Sequence, residues 1–394
     1  MVSLVKDNIG ILSAGALGVS FFYHLTHQLQ NLEHQVYFLE RPNSSSGIAL
    51  RKTGEIIIAN SQRQQSFSTD IWLKPDFITC YQSGFLPEII LICTNPDRLL
   101  GIISNIIDLL VLIYEREGLE NLCHSLPLFV LCSNGIYFQR FRQIFIEKLE
   151  EATLFGHLPD LWPTIMPQIV GRLLRGVTIQ TGIREGDGMN TIYRPGPSGK
   201  TVITGGNTET RERCYQILAD RGAWFENGGL ISATRLEFDK ALTNLTCNLL
   251  GQLYSIDARG KFTRLTLGEI LQPEHFPQIR ELVAQVFEVG KRVKVYRENE
   301  SFEQIFQKLL EICQPHQDHI PSSLQWVDIK LRLNQLEANI TPTESWLIEP
   351  LIRYAKASQL EETAQYFQSL KEQLIQKLTL AINFNNSKNK SIYN

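Results

Sequence analysis

The sequence predicts an α/β protein in which a doubly wound, mainly parallel sheet at the N-terminus is followed by an all-α region. Short apolar strands alternate with amphipathic helices in the first part of the 394 residues, which is typical of a parallel sheet covered on both faces. From about Thr234 onward the pattern is helical almost to the end. We therefore expect two domains, 1–233 and 234–382, and a polar, disordered tail over 383–394.

The first domain begins with a strand at Ile9–Leu12 and an amphipathic helix from Ala14 to about Gln30. Three further buried-strand patterns follow, at Gln35–Leu39, Ile89–Cys93 and Leu128–Cys132, with helices such as Arg98–Glu117 between most of them. From Val177 the pattern changes to the short strands "VTIQTG", "NTIYR" and "TVIT", separated by turn-rich pieces. These segments predict an antiparallel addition to the sheet.

Helical periodicity dominates the second domain, and we find no internal repeat. Ser322-Ser323 is predicted to open one further helix. The other predicted helices are Leu236–Leu253, Pro277–Val289, Ser301–Cys313, Ser345–Ala357 and Glu361–Ile382.

The composition excludes several classes of function. A net charge of −3 and a pI near 6.3 give no reason to expect a nucleic acid or an anionic membrane as partner. The longest apolar run, Ile106–Tyr114, is too short to span a bilayer, and we expect no signal peptide. The seven scattered cysteines favour reduced thiols in a cytoplasmic protein. Cys313, His316 and His319 have loosely metal-like spacing, but without a fourth ligand nearby we predict no metal site.

The stretch "NIGILSAGALG" (8–18) has the outline of a dinucleotide-binding loop. Such a loop uses one glycine for a tight turn, one for close approach to a pyrophosphate and one for helix packing. Gly15 and Gly18 fill the second and third roles, and Ser13 takes the first. A βαβ unit that no longer binds a nucleotide is the alternative. We predict that the loop binds a cofactor through Ser13, Ala14, Gly15, Ala16, Leu17 and Gly18.

The residues at the end of the second strand do not agree on whether the cofactor is NAD or NADP. An acidic residue there accepts hydrogen bonds from the ribose of NAD, whereas an arginine pairs with the 2′-phosphate of NADP. Glu40 and Arg41 supply one residue of each kind. Both are equally compatible with ordinary surface charges.

A polar stripe interrupts the otherwise apolar helix "FDKALTNLTCNLLGQL". Lys240, Asn244 and Asn248 follow one another at intervals of four residues and so share one face of the helix. A buried lysine is costly unless something compensates it, so the stripe is more easily explained by a polar cleft than by packing. The solvent-facing side of an amphipathic helix is the alternative.

Polar residues at three other places are candidates for the same site. Asn134-Gly135 directly follows the strand at Leu128–Cys132, at the edge of the sheet where doubly wound folds bind ligands. Ser322-Ser323 and Glu344, in "PTES", stand at predicted helix starts, where capping alone would explain them.

Together these segments resemble the 2-dehydropantoate 2-reductase (ketopantoate reductase) family over nearly the whole chain. The similarity runs through "GALG", "GIALRKTGEI", "CSNGIYF", "GVTIQTGIREGDGMNTIYRPG", "DKALTNLTCN", "IPSSLQ" and "PTES". The resemblance implies a Rossmann-type domain and a helical domain like the C-terminal domain of 6-phosphogluconate dehydrogenase. It also implies an enzyme that uses NADP(H), or else NAD(H), to reduce 2-dehydropantoate to pantoate. We expect the protein to be cytoplasmic and a monomer or homodimer.

By position, the resemblance makes Lys240 the general acid and Glu344 the paired carboxylate at the substrate. A half-buried lysine can protonate the carbonyl oxygen of an anionic 2-oxo acid, since burial lowers the pKa of its ammonium. The substrate contacts implied in the same way are Asn134, Asn244, Asn248 and Ser323, and the cofactor contacts outside the glycine loop are Arg41, Asn95 and Asn134.

The chain also departs from the family. Ser13 replaces a glycine, Asn95 stands where a lysine commonly contacts the NADP phosphate, and Glu40 precedes Arg41. Extra residues near the predicted site favour a second hypothesis, a reductase of another branched or bulky 2-oxo acid or of an opine-type imine. A third is a non-catalytic nucleotide-binding or interaction protein with the same fold, against which the intact polar stripe argues.

Overall fold

The computed structural model describes residues 5–27, 36–41, 43–60, 63–186 and 190–392. The chain divides into two compact units, Met1–Ala233 and Thr234–Asn394. Within the described residues the first unit holds every named strand, and the second consists of helices and their connections.

The strands of the first unit are β1 Val5–Leu12, β2 Val36–Leu39, β3 Glu55–Ala59, β4 Gln64–Ser68, β5 Leu73–Lys74, β6 Pro87–Ile92, β7 Leu128–Leu131, β8 Leu173–Thr178, β9 Gly182–Glu185, β10 Ile192–Pro195, β11 Thr201–Gly205 and β12 Phe225–Asn227. Eight of them form the main sheet in the order β12-β11-β8-β7-β6-β1-β2-β5. All neighbours from β5 to β8 are parallel, and β11 is antiparallel to β8. This Rossmann-like order confirms the predicted fold class.

The predicted antiparallel addition is divided between two sheets. β11 extends the main sheet, whereas β10, the predicted strand "NTIYR", pairs with β9 and β3 in a second sheet of order β4-β3-β10-β9. Packing against the first helix explains the difference, because Tyr193 of β10 is buried in the same core as Phe22 of that helix. Ser20 Oγ of the helix also donates to Thr181 O at 2.8 Å, just before β9. Neither contact leaves a periodic signal in the sequence.

The helices of the first unit are α1 Ala16–His27, α2 Ser45–Thr53, α3 Thr69–Trp72, α4 Phe77–Gln82, α5 Leu99–Glu117, α6 Leu119–Ser125, α7 Phe138–Leu154, α8 Ile165–Val170 and α9 Thr208–Ala219. β6 and β7 are buried at every position, which is why Ile89–Ile92 and Leu128–Leu131 read as continuous apolar runs. The core joins β1 to apolar residues of α1 and α9, such as Val19 and Leu218.

The helices of the second unit are α10 Ala233–Asn244, α11 Gly251–Ser255, α12 Leu267–Ile270, α13 Phe276–Arg292, α14 Phe302–Cys313, α15 Ser322–Arg332, α16 Pro342–Ala357 and α17 Glu361–Ile392. A π-helical segment, Leu245–Leu250, joins α10 to α11 without a break. The single helix predicted at Leu236–Leu253 therefore contains a change of helical pitch, a feature often found at functional sites.

The C-terminal tail differs from the prediction, because α17 continues to Ile392 instead of ending at Ile382. Leu378 and Ala381 are buried and anchor the helix at this point. Asn385 then donates from its side chain to Leu331 O at 3.0 Å and to Asn334 Oδ1 at 2.9 Å. Polar contacts of this kind order a segment that has no apolar pattern. Residues 393–394 of the predicted tail lie outside the described residues.

In the part of the chain that the structure describes, no helix is both long enough and apolar enough to cross a membrane.

Candidate functional site

The loops predicted to bind a cofactor leave the main sheet at one edge. Leu12, the last residue of β1, is in register with Leu39 of β2 and Ile92 of β6. Ile92 is in turn in register with Leu131 of β7. The segments after these parallel strands therefore start at the same carboxyl edge, where open α/β sheets bind ligands. They contain the glycine loop (13–18), Glu40-Arg41, Asn95 and Asn134.

The glycine loop is built around a strained serine. Ser13 has φ of 84°, a left-handed conformation that costs a non-glycine residue on the order of 1–3 kcal/mol. Gly18 is required, because a Cβ there would lie 2.1 Å from the Ser13 carbonyl oxygen. The nearest atom to a Cβ at Gly15 would be Ser13 Oγ at 3.6 Å. The loop thus keeps open space beside Gly15, and α1 begins directly after it at Ala16.

Glu40 is part of the loop's supporting structure rather than a surface charge. Its Oε2 accepts the Ala14 backbone N–H at 3.2 Å, and its Oε1 accepts the Ser44 and Ser46 hydroxyls at 2.6 and 2.8 Å. On the other side of Ala14, the Tyr193 hydroxyl donates to the Ala14 carbonyl at 2.8 Å. Arg41, in contrast, is exposed. Glu40 is therefore part of the cofactor loop's structure, whereas Arg41 lies at the surface.

The two asparagines at this edge differ in their surroundings. Asn95 is exposed, and its side chain does not cap the short 3₁₀ turn Pro96–Arg98 that follows. Asn134 is half-buried in the turn that follows β7. The buried Arg175 supports this turn by donating to Leu131 O at 2.5 Å, Ser133 O at 2.8 Å and Gly135 O at 3.3 Å. The sequence does indicate such a role, because Arg175 lies inside the apolar strand "LLRGVT" and a buried guanidinium needs hydrogen-bond partners.

In the second unit, the polar stripe begins with Lys240 and Asn244. Lys240 is partly buried and Asn244 is 6% exposed, and neither side chain makes a hydrogen bond or ion pair within the described residues. Burial lowers the pKa of the Lys240 ammonium, while the thiols of Cys247 and Cys313 act in the opposite direction. An uncompensated lysine on a buried helix is a candidate for binding a partner outside the protein.

The next residue of the stripe is joined to a second helix. Ser323 Oγ, in the first turn of α15, donates to Asn248 Oδ1 at 3.0 Å and lies 3.4 Å from Asn248 O. Ser323 and Asn248, two of the predicted substrate contacts, are thus hydrogen-bonded to each other. The amide nitrogen of Asn248 stays available as a donor, since its oxygen takes the serine bond.

Gln252 extends the stripe by one further interval of four residues and is not among the site residues predicted from the sequence. Its Nε2 donates to Glu344 Oε1 at 2.7 Å and to Asn248 O at 3.2 Å. Glu344 also forms a capping box with Thr341 at the start of α16, which confirms the capping interpretation. Burial raises the pKa of Glu344 to about 7, against the opposing effect of the Gln252 hydrogen bond. The periodicity that singled out Lys240 would also have found Gln252.

The structure does not join every predicted residue directly. Within the described residues there is no ion pair between Lys240 and Glu344. Cys313 lies with Cys247, their sulfurs 3.8 Å apart, and no group of three or more His, Cys, Asp or Glu side chains in the described residues is arranged to hold a metal. The candidate site in the second unit thus contains a lysine, three amides, a serine and a carboxyl group whose pKa is about 7.

No protein-family model matches the sequence, and no curated protein sequence matches it. In structure the chain is similar to D-mandelate dehydrogenase in its ternary complex with NADH and anilino(oxo)acetate, with a TM-score of 0.62 and 16% identity over 95% of this chain and 99% of that one. It is also similar to the 2-dehydropantoate 2-reductase from Geobacter metallireducens GS-15 (TM-score 0.57, 14% identity, 93% and 99% covered). The 2-dehydropantoate 2-reductase from Methylococcus capsulatus is also similar, with a TM-score of 0.54 and 15% identity over 93% of this chain and 97% of that one. The chain therefore has the fold of these oxidoreductase structures, in agreement with the resemblance in its sequence.

Proposed function

We propose that the protein is an NAD(P)H-dependent reductase of a 2-oxo acid. The proposal rests on the state of Lys240 at the start of the polar stripe: it is partly buried, its side chain has no partner among the described residues, and burial lowers its pKa. Reduction of a ketone needs a proton donor at the carbonyl oxygen, and an ammonium of lowered pKa serves as one near neutral pH. A protein that only bound a nucleotide would have no use for such a group.

The glycine loop fits a dinucleotide, because the space beside Gly15 is open and α1 begins at Ala16 with its unpaired backbone donors. Residues 13–18 would hold the pyrophosphate, and Asn95 and Asn134 would contact the cofactor from the neighbouring loops. The reduced nicotinamide supplies the hydride. Arg175 keeps the Asn134 turn in place through its bonds to the turn's carbonyls.

Glu40 favours NADH over NADPH. Its carboxylate already binds the glycine loop, and its remaining acceptor capacity suits a ribose hydroxyl. A 2′-phosphate at the same place would meet a like charge. The resemblance implies NADP(H), and the exposed Arg41 is the cation that could pair with its 2′-phosphate. Glu40 and Arg41 therefore favour different cofactors.

The second unit provides the contacts that an anionic 2-oxo acid requires. Lys240 would donate the proton to the carbonyl oxygen, and the Asn244, Asn248 and Ser323 side chains would hold the substrate's polar groups. Glu344 would lie at the substrate end of the network. With a pKa of about 7, it would exchange protons close to physiological pH.

2-Dehydropantoate is the first candidate substrate, because the sequence resemblance points to it. A bulkier 2-oxo acid is the second, supported by the similarity to D-mandelate dehydrogenase, whose TM-score of 0.62 exceeds the 0.57 of the Geobacter reductase. Mandelate is the 2-hydroxy acid that corresponds to the aryl 2-oxo acid phenylglyoxylate.

The proposal is tested by titrating NADH and NADPH into the purified protein and then following the nicotinamide absorbance. 2-Dehydropantoate, phenylglyoxylate and 2-oxo-3-methylbutanoate are added in separate assays. Loss of absorbance with one of them establishes the reductase and its substrate class. Cofactor binding without turnover of any 2-oxo acid would contradict the proposed reaction, and absence of binding would favour the non-catalytic hypothesis.

A further inference from the structure

Cys247 and Cys313 are 66 residues apart in sequence, yet their sulfurs lie 3.8 Å from each other within hydrogen-bond distance. Cys247 belongs to the π-helical segment that follows Lys240, and Cys313 is the last residue of α14. Both are thiols in the structure, and their side chains are 9% and 1% exposed. A disulfide needs the sulfurs about 2.0 Å apart, so the pair requires only a small approach to form one.

Ion pairs hold the two helices that carry these thiols. Lys308 of α14 bonds to Asp239 of α10 at 2.8 Å, and Asp239 also accepts from Arg235 at 3.0 Å. Arg235 further binds Glu300, just before α14, at 2.6 Å. Because these contacts fix α14 beside the helix of Lys240, the short distance between the sulfurs is a built feature of this unit.

A nearby cation distinguishes Cys313 from Cys93. The Cys247 hydrogen bond and then the Lys240 charge lower the pKa of the Cys313 thiol, against the effect of its burial, whereas the pKa of Cys247 is raised. In the first unit, burial and the neighbouring Cys132 thiol both raise the pKa of Cys93. Since the thiolate is the nucleophile, Cys313 and Cys93 differ in the property that governs thiol reactivity.

We propose that Cys247 and Cys313 form a redox-active pair that a hydroperoxide converts reversibly to a disulfide beside Lys240. The Cys313 thiolate attacks the peroxide, forming a sulfenic acid and releasing the leaving oxygen, which takes up a proton as water or an alcohol. Cys247 then attacks that sulfur. The sulfur–sulfur bond forms as the sulfur–oxygen bond breaks, and the hydroxide that leaves takes the Cys247 proton as water. A dithiol reductant reverses the reaction.

The consequence for activity rests on the proposed function. The disulfide removes the two ionisable thiols, which raise the pKa of Lys240, so the pKa of the lysine falls further and it loses its proton at a lower pH. The oxidised form should therefore lose reductase activity at a lower pH than the reduced form. Reduction by dithiothreitol should restore it.

The test is graded hydrogen peroxide treatment of the full chain, followed by peptide mapping by mass spectrometry under non-reducing conditions. We expect a peptide linked through Cys247 and Cys313 at doses that leave Cys93 and Cys132 as thiols. Lys240→Met should slow the linkage roughly tenfold, and far-ultraviolet circular dichroism checks that this variant is folded. Over-oxidation without a link, or linkage of Cys93 to Cys132 at the same or a lower dose, would overturn the proposal.

Activity is measured in parallel on the wild-type protein and on Cys313→Ser. Peroxide should inactivate the wild type reversibly and leave Cys313→Ser insensitive; equal inactivation of both would contradict the effect on Lys240. The linkage is scored by mass alone, so a protein without reductase activity would refute the proposed function and leave the thiol-pair result standing.

Discussion

Gln252 Nε2 donates to Glu344 Oε1 at 2.7 Å, joining two side chains that are 92 residues apart in sequence. Both are almost completely buried, with 1% and 4% exposure. Gln252 also reaches Asn248 O, and Asn248 accepts from Ser323, so one chain of hydrogen bonds connects the polar stripe to α15 and α16. The carboxyl group at the end of this chain has a pKa of about 7.

Glu344→Gln should change how stability depends on pH. The carboxyl of the wild type is protonated in the folded protein and ionised in the unfolded chain between pH 4.5 and about 7. The folded state therefore binds more protons in this range, and its stability falls as pH rises. Relative to Glu344→Gln, the free energy of unfolding of the wild type should fall by on the order of 3 kcal/mol as pH rises through this range. Urea unfolding at several pH values measures the difference; a constant difference would contradict the raised pKa. Glu372→Gln, at an exposed site, is the control.

Gln252→Leu should destabilise the protein and raise the pKa of Glu344 further, because the amide donor opposes the effect of burial. Removing one partner from a buried polar pair costs about 1–3 kcal/mol. Gln368 makes a similar bond to Glu372 at 2.9 Å on the exposed side of α17, so Gln368→Leu is a matched control that should change stability by less than about 0.5 kcal/mol. Equal losses in the two variants would show that burial of the Gln252 pair has no special effect.

Lys240→Ala should lower kcat for the 2-oxo acid by about two orders of magnitude or more, because the proton donor is lost while the cofactor loop is untouched. NADH affinity, measured by titration calorimetry, should stay within about twofold of the wild type. Lys356→Ala removes an exposed lysine of the same unit and should leave kcat unchanged. Retention of full turnover by Lys240→Ala would remove the lysine from the mechanism.

Glu40→Gln and Arg41→Ala test which of the two residues sets the preference between NADH and NADPH. Glu40→Gln should weaken NADH binding by roughly tenfold and narrow the gap between NADH and NADPH, because the ribose acceptor and the like charge are both lost. Arg41→Ala should weaken NADPH more than NADH. Kd values of both variants for both cofactors measure these changes. If Arg41→Ala lost equal affinity for NADH and NADPH, the arginine would have a packing role instead.

Ser13→Gly should stabilise the protein by about 1 kcal/mol, since glycine adopts a φ of 84° without the steric cost that serine carries. Ser104→Gly, in the exposed middle of α5, is the same substitution in a helical conformation and should destabilise by about 0.5 kcal/mol. Chemical denaturation of both variants gives the signs. Destabilisation by Ser13→Gly would mean that the serine side chain contributes more to the loop than its conformation costs.

The sequence by itself determined the fold class and the positions of most long elements. Apolar runs such as Ile89–Cys93 indicated buried parallel strands, and the structure has β6 at Pro87–Ile92. The helical stripe placed Lys240, Asn244 and Asn248 on one helix. Local periodicity carries this information because burial of one face imposes it residue by residue.

The tertiary structure alone decided which polar groups meet. Gln252 with Glu344, Cys247 with Cys313, and Arg175 with the Asn134 turn are contacts between distant segments, and each depends on how whole elements pack. The positive φ of Ser13 and the placement of β10 in a second sheet also follow from packing around α1. A hydrogen bond between side chains far apart in sequence leaves no periodic pattern, so its partners become visible only when the chain is folded.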